Sequence, residues 1–407
     1  MEYDLIVIGG GPAGIMAAGT AVQKGARVLL LERKDRLGTK LLITGKGRCN
    51  LTNAEFNNRK FVEKFGKNGN FLHSSLSKFS AQDTINFFEN KGLKTKIERG
   101  QRVFPESDKS QDVLRVLKKY LENVEIKTGT KVKSIAYNKN RIKNIVLENN
   151  QTLEAENYVI CTGGKSYPST GSTGNAFSWL KNKHRIVPPK PALVSVILKE
   201  NWIKDLEGLS LKNVAINVYQ KQKKIDSRFG EAIFTANGLS GPIILDLSKK
   251  IGEYLEKDKV EIQIDYKPAL NFEKLDKRLQ RDFKEFHNKM FKNSLDDLLP
   301  KKLIPIIVRL SKINSEKKVN LITKEERKEL VHLLKEFKLQ VKSLDGFNKA
   351  IITSGGIDLK EIDSKTMQSK IIENLYLAGE VLDLDGPTGG YNLQVCWTTG
   401  FVAGSNV

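Results

Sequence analysis

The sequence predicts an α/β protein, and three features carry that prediction. A short apolar run, Tyr3–Ile8, leads through a glycine-rich turn into an alanine-rich helical stretch, Ile15–Lys24. A second apolar run, Arg27–Leu31, follows, and strand, turn, helix and strand at this length make one βαβ unit. The middle of the chain, Leu193–Tyr266, alternates in the manner of half-buried strands. The last segment, Ala350–Val407, returns to buried strands and glycine loops.

Taken in order, Gly25 stands where a glycine closes the first helix. Two helical patterns between Phe71 and Glu122 flank RGQRVFPES. Short strands are expected at Val124–Lys127, Lys131–Tyr137, Arg141–Glu148 and Thr152–Ile160, the last running into the loop Cys161–Gly174. Pro188-Pro189-Lys190-Pro191 reads as a domain boundary. The divisions are therefore 1–190, a β-rich piece 191–270, a basic helical insert 271–340, and a return to the first domain over 341–407.

Composition narrows the class. With 407 residues the chain can hold two or three domains and a core that needs no covalent staples. At 39% hydrophobic and 28% charged it is an ordinary globular composition, which argues against disorder, collagen or coiled coil. No apolar run reaches the ~20 residues of a membrane span, and MEYDLIVIGGG lacks a basic leader. Cys49, Cys161 and Cys396 are far apart, which argues against a disulfide framework or a zinc site and suits a reducing cytoplasm. His73, His184, His287 and His332 are scattered, suggest no metal, and read mostly as surface residues.

The turn Gly9-x-Gly11-Pro12-Ala13-Gly14 follows a strand and opens a helix, and Glu32 ends the next strand. Gly9 permits the tight turn, Gly11 lets backbone approach a pyrophosphate, and Gly14 allows helix to pack on sheet. The helix N-terminus favours phosphate, and Glu32 can accept ribose hydroxyls. Thr162-Gly163-Gly164, the strand and acid of LYLAGE with Gly379 and Glu380, and the turn Gly389-Gly390-Tyr391-Asn392 before a last helix lie far along the chain. A cofactor as long as FAD explains why both chain ends are needed. No second GxGxxG unit is present, so NAD(P)H is expected only as a transient electron donor.

Six stretches together resemble one family, the BaiN/YhiN-type FAD-binding proteins, also described as aminoacetone-oxidase-like or NAD(P)/FAD-dependent oxidoreductases. They are KLLITGKGRCNLTN (Lys40 to Asn53), GQRVFPES (Gly100 to Ser107), TGGKSYPSTGSTG (Thr162 to Gly174), FTANGLSGP (Phe234 to Pro242), TSGGIDLKEIDSKTMQSK (Thr353 to Lys370) and LAGEVLD (Leu377 to Asp383). The resemblance implies a Rossmann-like FAD domain of the two-dinucleotide-binding-fold type built from both chain ends. It also implies an inserted β-barrel-like domain and a small helical domain. Arg33, Lys40, Gly47, Arg48, Cys49 and Val132 are expected to join the glycine turns around non-covalent FAD. Many relatives carry His after the Thr of the FT…GLSGP motif; this chain has Ala236, so no acid–base role transfers.

Relatives of this kind are linked to reduction of conjugated steroid enones or to dihydrouridine formation in large-subunit ribosomal RNA; amine oxidation is a further label. Both reductions need hydride at the β-carbon of an unsaturated carbonyl, a site for the developing enolate, and a positioned acid. Lys46 and Arg48 can serve the enolate or the FAD phosphates, and Cys49 is either a proton donor or a small buried loop residue. Tyr167 and Tyr391 are alternative acids, stacking platforms or pocket walls, while Asn50 and Asn53 fix the loop.

The formal net charge of +21 suits a polyanion or simply solubility. FAD's two phosphates are too few to account for it. Residues 271–340 hold 18 Lys/Arg against 11 Asp/Glu, which makes the helical insert the place to look for an RNA contact, or else a solvated set of helices. RNA is accordingly the favoured substrate and a small-molecule enone the alternative. A non-enzymatic, flavin-sensing nucleic-acid-binding protein is the third reading, and the complete flavin site argues against it.

Overall fold

The computed structural model describes residues 2–407 and divides the chain into two compact units. One runs to Ala192 and resumes at Phe347; the other is Leu193–Gly346. In the first unit five strands form a parallel sheet in the order Leu375–Leu377, Ala155–Ile160, Tyr3–Ile8, Val28–Leu31 and Glu125–Lys127. Val28–Leu31 is buried at every position, as expected of a parallel strand covered on both faces.

The helix Pro12–Gln23 carries no strong amphipathic stripe because it is covered nearly all round: every residue from Ala13 to Ala21 is buried. It packs along the last helix, Tyr391–Ser405. A Cβ at Gly400 would fall 2.4 Å from Ala13 O, and one at Gly404 would fall 2.2 Å from Ala17 O. Only glycine lets the two backbones approach so closely. Two small antiparallel sheets complete this core: Thr52–Asn53, Arg102–Pro105 and Thr95–Glu98, and the meander Val132–Asn138, Arg141–Leu147 and Thr152–Leu153.

Pro188–Pro191, read as a domain boundary, stands just before the division between the units at Ala192 and Leu193. It lies within the strand Ile186–Ala192, which pairs antiparallel with Ile352–Ile357. The register shifts between Val187 and Lys190, so Pro188 and Pro189 fall where no regular pairing is required of them. The chain thus leaves the first unit on one strand of this ribbon and returns on the other.

The second unit is a closed six-stranded antiparallel barrel in the order Val196–Leu198, Gly238–Ser240, Lys223–Thr235, Ser210–Gln220, Glu261–Asp265 and Phe337–Leu344. FTANGLSGP supplies the hairpin between two of these strands and the start of the helix Pro242–Leu255. The expected separate helical domain 271–340 is corrected here. Its helices Phe272–Glu285, Ile304–Ser311 and Lys324–Lys335 share one apolar core with the barrel, in which Leu275, Leu279 and Leu334 join Ile262, Ile264 and Leu339. Its last residues already belong to the strand that closes the barrel. Among the described residues, no helix is long and apolar enough to cross a membrane, and no cluster of His, Cys, Asp or Glu is placed to hold a metal ion.

Candidate active site

A cleft open to solvent lies at the carboxyl ends of the strands Tyr3–Ile8, Val28–Leu31, Ala155–Ile160 and Leu375–Leu377. That is where a doubly wound sheet presents its ligand site. Gly9 takes φ 111°, and a Cβ there would stand 2.5 Å from Cys161 O. A Cβ at Gly14 would collide with Gly9 O at 1.8 Å, so Gly14 packs beneath the turn. At Gly11 a Cβ would meet nothing within 4 Å: its backbone faces the open cleft. No side chain caps this helix, and no acidic residue stands in its first turn, so its amino end is left to a ligand anion.

Glu32 follows directly on the strand Val28–Leu31 at the cleft and is 9% exposed. Its carboxylate accepts Gly10 N–H at 2.8 Å and Lys34 N–H at 2.7 Å. Burial raises its pKa, opposed by those backbone N–H groups. A carboxylate has about four acceptor positions, so two remain for ribose hydroxyls.

On the other side Glu380 is held by three donors: Lys40 Nζ at 2.7 Å, Ser166 Oγ at 2.7 Å and Thr353 N–H at 2.6 Å. Lys40 also reaches Ser166 Oγ at 2.6 Å. Thr162 Oγ1 is buried in the cleft wall without a hydrogen-bond partner. An unpartnered buried hydroxyl beside an open glycine turn and two oriented carboxylates is what a bound dinucleotide would complete, and the residues fit FAD.

Of the residues expected from sequence, Gly9, Gly11, Pro12, Ala13, Glu32, Arg33, Lys40, Val132, Thr162, Gly163, Gly379 and Glu380 all line this cleft. Gly164 packs against Thr353 instead. Gly47, Arg48, Cys49, Gly390, Tyr391 and Asn392 are not among its lining residues.

Arg48 is committed elsewhere. It is ion-paired to Glu98 and, at 2.7 Å, to Asp108, and lies 4.0 Å over the Phe104 ring. With its charge answered by two carboxylates, it is not free for a phosphate or an enolate. Cys49 has no exposed surface, and burial pushes its thiol up to about 12. A proton donor must reach its acceptor, and this thiol is enclosed by protein. The ring of Tyr391 is buried against Phe61 and Phe65, at 4.8 and 6.3 Å between centroids. Asn392 accepts Gly386 N–H at 2.9 Å and donates to Gly386 O and Pro387 O, clipping the loop before the last helix. With its amide turned to suit its neighbours, Asn50 accepts Gly390 N–H at 3.0 Å, which takes up a donor expected for FAD.

Sequence reasoning did not single out Ser166, Thr353, Thr173 or Trp179. The first two fix Glu380, Thr173 Oγ1 accepts from Arg33, and Trp179 lines the cleft. The two glycines of STGSTG were the local signal in the sequence, and in the structure Gly171 and Gly174 are both left-handed, at φ 112° and 78°. His184, expected at the surface, is 2% exposed, with Nε2 2.8 Å from Ser369 Oγ.

Fold and site together define the class of FAD-dependent oxidoreductases. The chain matches the family described as HI0933-like protein Rossmann domain over residues 3–406, and it belongs to that family. It is 30% identical over 404 residues to a 3-dehydro-bile acid delta(4,6)-reductase of Clostridium scindens, covering 98% of this chain and 97% of that protein. To a ribosomal RNA dihydrouridine synthase of Escherichia coli it is 28% identical over 414 residues, covering 100% and 98%. The structure of 3-ketosteroid delta1-dehydrogenase from Sterolibacterium denitrificans superposes with TM-score 0.52 at 13% identity, covering 99% and 98% of the two chains, a likeness of fold.

Proposed function

We propose that this protein reduces a carbon–carbon double bond conjugated to a carbonyl, with a uridine of large-subunit ribosomal RNA as acceptor and NAD(P)H as transient electron donor. Reduced FAD, when bound, supplies hydride chemistry. The chain's own part is to hold and orient. Backbone at Gly9–Gly14 takes the pyrophosphate, Glu32 the adenosine ribose, and Glu380 the ribitol hydroxyls. Lys40, Ser166 and Thr353 keep the Glu380 carboxylate in one orientation, and Thr162 Oγ1 offers a hydrogen bond.

The observation that carries the choice of RNA is the charge of +21 on a chain matched end to end by a dihydrouridine synthase. A small apolar enone calls for no such surplus, whereas RNA phosphates do. Mass mapping of dihydrouridine in ribosomal RNA from cells with and without the gene tests the reading: loss of one modified uridine is expected, and an unchanged map removes it. Bleaching of the flavin by NADH or NADPH under argon tests the donor.

A second reading, reduction of a small cyclic enone, is favoured by the 30% identity to the bile acid reductase. It requires that cyclic enones reoxidise the reduced enzyme rapidly without oxygen while RNA does not.

A further inference from the structure

The positive charge is not concentrated where the helical insert suggested. Residues 193–346 carry 31 Lys/Arg against 23 Asp/Glu, or +8, and the other 253 residues carry +13, so the two units are equally dense in charge. Within the insert, seven of the 18 cations are already ion-paired: Lys277, Arg278, Arg281, Lys292, Lys317, Arg327 and Lys335.

A different set of cations lies in the FAD-binding unit. Arg59, Lys60, Lys64, Lys67, Arg99 and Arg102 are all exposed, and among the described residues none has an ion-pair partner. The structure ties the segments that carry them to one loop. Phe61 and Phe65 pack on Tyr391, and Asn68 Nδ2 donates to Asp383 O at 2.7 Å, which pins the stretch 58–72 to the loop 383–391. Asn53 Nδ2 donates both to Gly100 O and to Gly389 O, each at 3.1 Å, which pins the hairpin tip 99–102 to the same loop. That loop runs on directly from Glu380 in the cleft. Beside the tip, Ala54 N–H donates to Gln101 O at 2.7 Å, and two residues later Phe56 stands 51% exposed.

Resting on the RNA reading above, we infer that Arg59, Lys60, Lys64, Lys67, Arg99 and Arg102, with Phe56, form the surface that receives single-stranded RNA. Unpaired cations track phosphates, and an exposed aromatic ring offers a face for a base. A uridine must leave its stack to be reduced, so its flanking nucleotides need such a rim. Glu55 and Glu63 lie among these cations and limit the net charge without pairing to them in the structure.

The test measures binding of in vitro transcribed large-subunit ribosomal RNA to the full-length FAD-loaded protein across a salt series. Triple reversal K60E/K64E/K67E and double reversal R99E/R102E should each weaken binding about tenfold or more, flattening the salt slope by about 0.7 for each phosphate no longer neutralised. Phe56→Ala should weaken binding with the slope unchanged. FAD content and melting midpoint show that each variant is folded. K284E/K324E/K328E, on the insert, makes the same charge change as the triple reversal and should leave the RNA affinity near that of the parent. Patch variants that bind like the parent, or an insert variant that weakens binding equally, would overturn the inference. So would a parent protein that binds anionic phospholipid vesicles in place of RNA. The two readings separate cleanly. Intact uridine reduction with unaffected patch variants sinks the surface alone, while salt-sensitive, patch-dependent binding without uridine reduction sinks the substrate alone.

Discussion

Gly11 and Gly14 stand three residues apart and require glycine for opposite reasons. Gly14 has protein where a side chain would go, at 1.8 Å from Gly9 O; Gly11 has open space. Gly14→Ala should therefore lower both FAD content and melting temperature, while Gly11→Ala should fold with an unchanged midpoint and lose FAD affinity. Equal loss of stability in both would contradict this division. Cys49→Ala should turn over within about twofold of the parent and cost about 1 kcal/mol in a urea titration, the effect of trimming a small buried group; a large loss of turnover would restore the thiol as proton donor. Burial holds His184 down at about 4, against 6.5 when free. The unfolded chain then binds the extra proton between those values, so stability is full above pH 6.5 and falls as pH drops towards 4. By pH 5 the loss is about 2 kcal/mol, and His184→Gln should remove that component from the pH profile. At this scale the glycine turn was legible in the sequence because its work is local. The fate of Arg48 was not, because Glu98 and Asp108 lie 50 and 60 residues further on.

The elements show the same division between local and distant causes. Strand, helix and strand at the amino end could be read because period and glycine agree over thirty residues. The ribbon Ile186–Ala192 could not, since its three prolines mark a boundary and do not suggest a strand until Ile352–Ile357 supplies a partner. The barrel's strands were legible as alternation and its barrel form only through the family resemblance, because closure depends on Phe337–Leu344 pairing with both Glu261–Asp265 and Val196–Leu198. One side chain helps fix the return into that last strand. Lys335, with 8% of its side chain exposed, donates to Asp265 at 2.6 Å and to the carbonyls of Lys267 and Leu270 at 3.1 and 2.6 Å. Lys335→Ala strands a mostly buried carboxylate and two carbonyls, and should cost about 3–5 kcal/mol. Urea unfolding of the segment 193–346, in which Trp202 is the only tryptophan, measures it; a cost under about 1 kcal/mol would mean that water replaces the ammonium.

For the molecule as a whole, the second unit is an insertion with adjoining ends. Asp345 N–H donates to Ser195 O at 2.9 Å, and Val196 pairs with Leu344. On the other side of the junction Ala192 pairs with Ile352. Excised residues 193–346 should fold alone with a cooperative transition, and a chain joining Ala192 to Phe347 through a short linker should still take up FAD; failure of either would mean that the units need each other to fold. The cofactor site, by contrast, is split between the extremes of the chain. The first helix meets its partner only when Gly400 and Gly404 can lie on Ala13 and Ala17. Translation at about 5–20 residues per second leaves that helix waiting on the order of twenty to eighty seconds. Through that interval the helix keeps its contacts with the parallel strands and with the helix Ser110–Tyr120 but lacks the cover of Tyr391–Ser405, and the nascent chain has no complete cradle for FAD. Cofactor capture thus reports that synthesis has run to the helix Tyr391–Ser405, and a ribosome that stalls before it releases a chain whose first helix has the face of Ala13 and Ala17 uncovered.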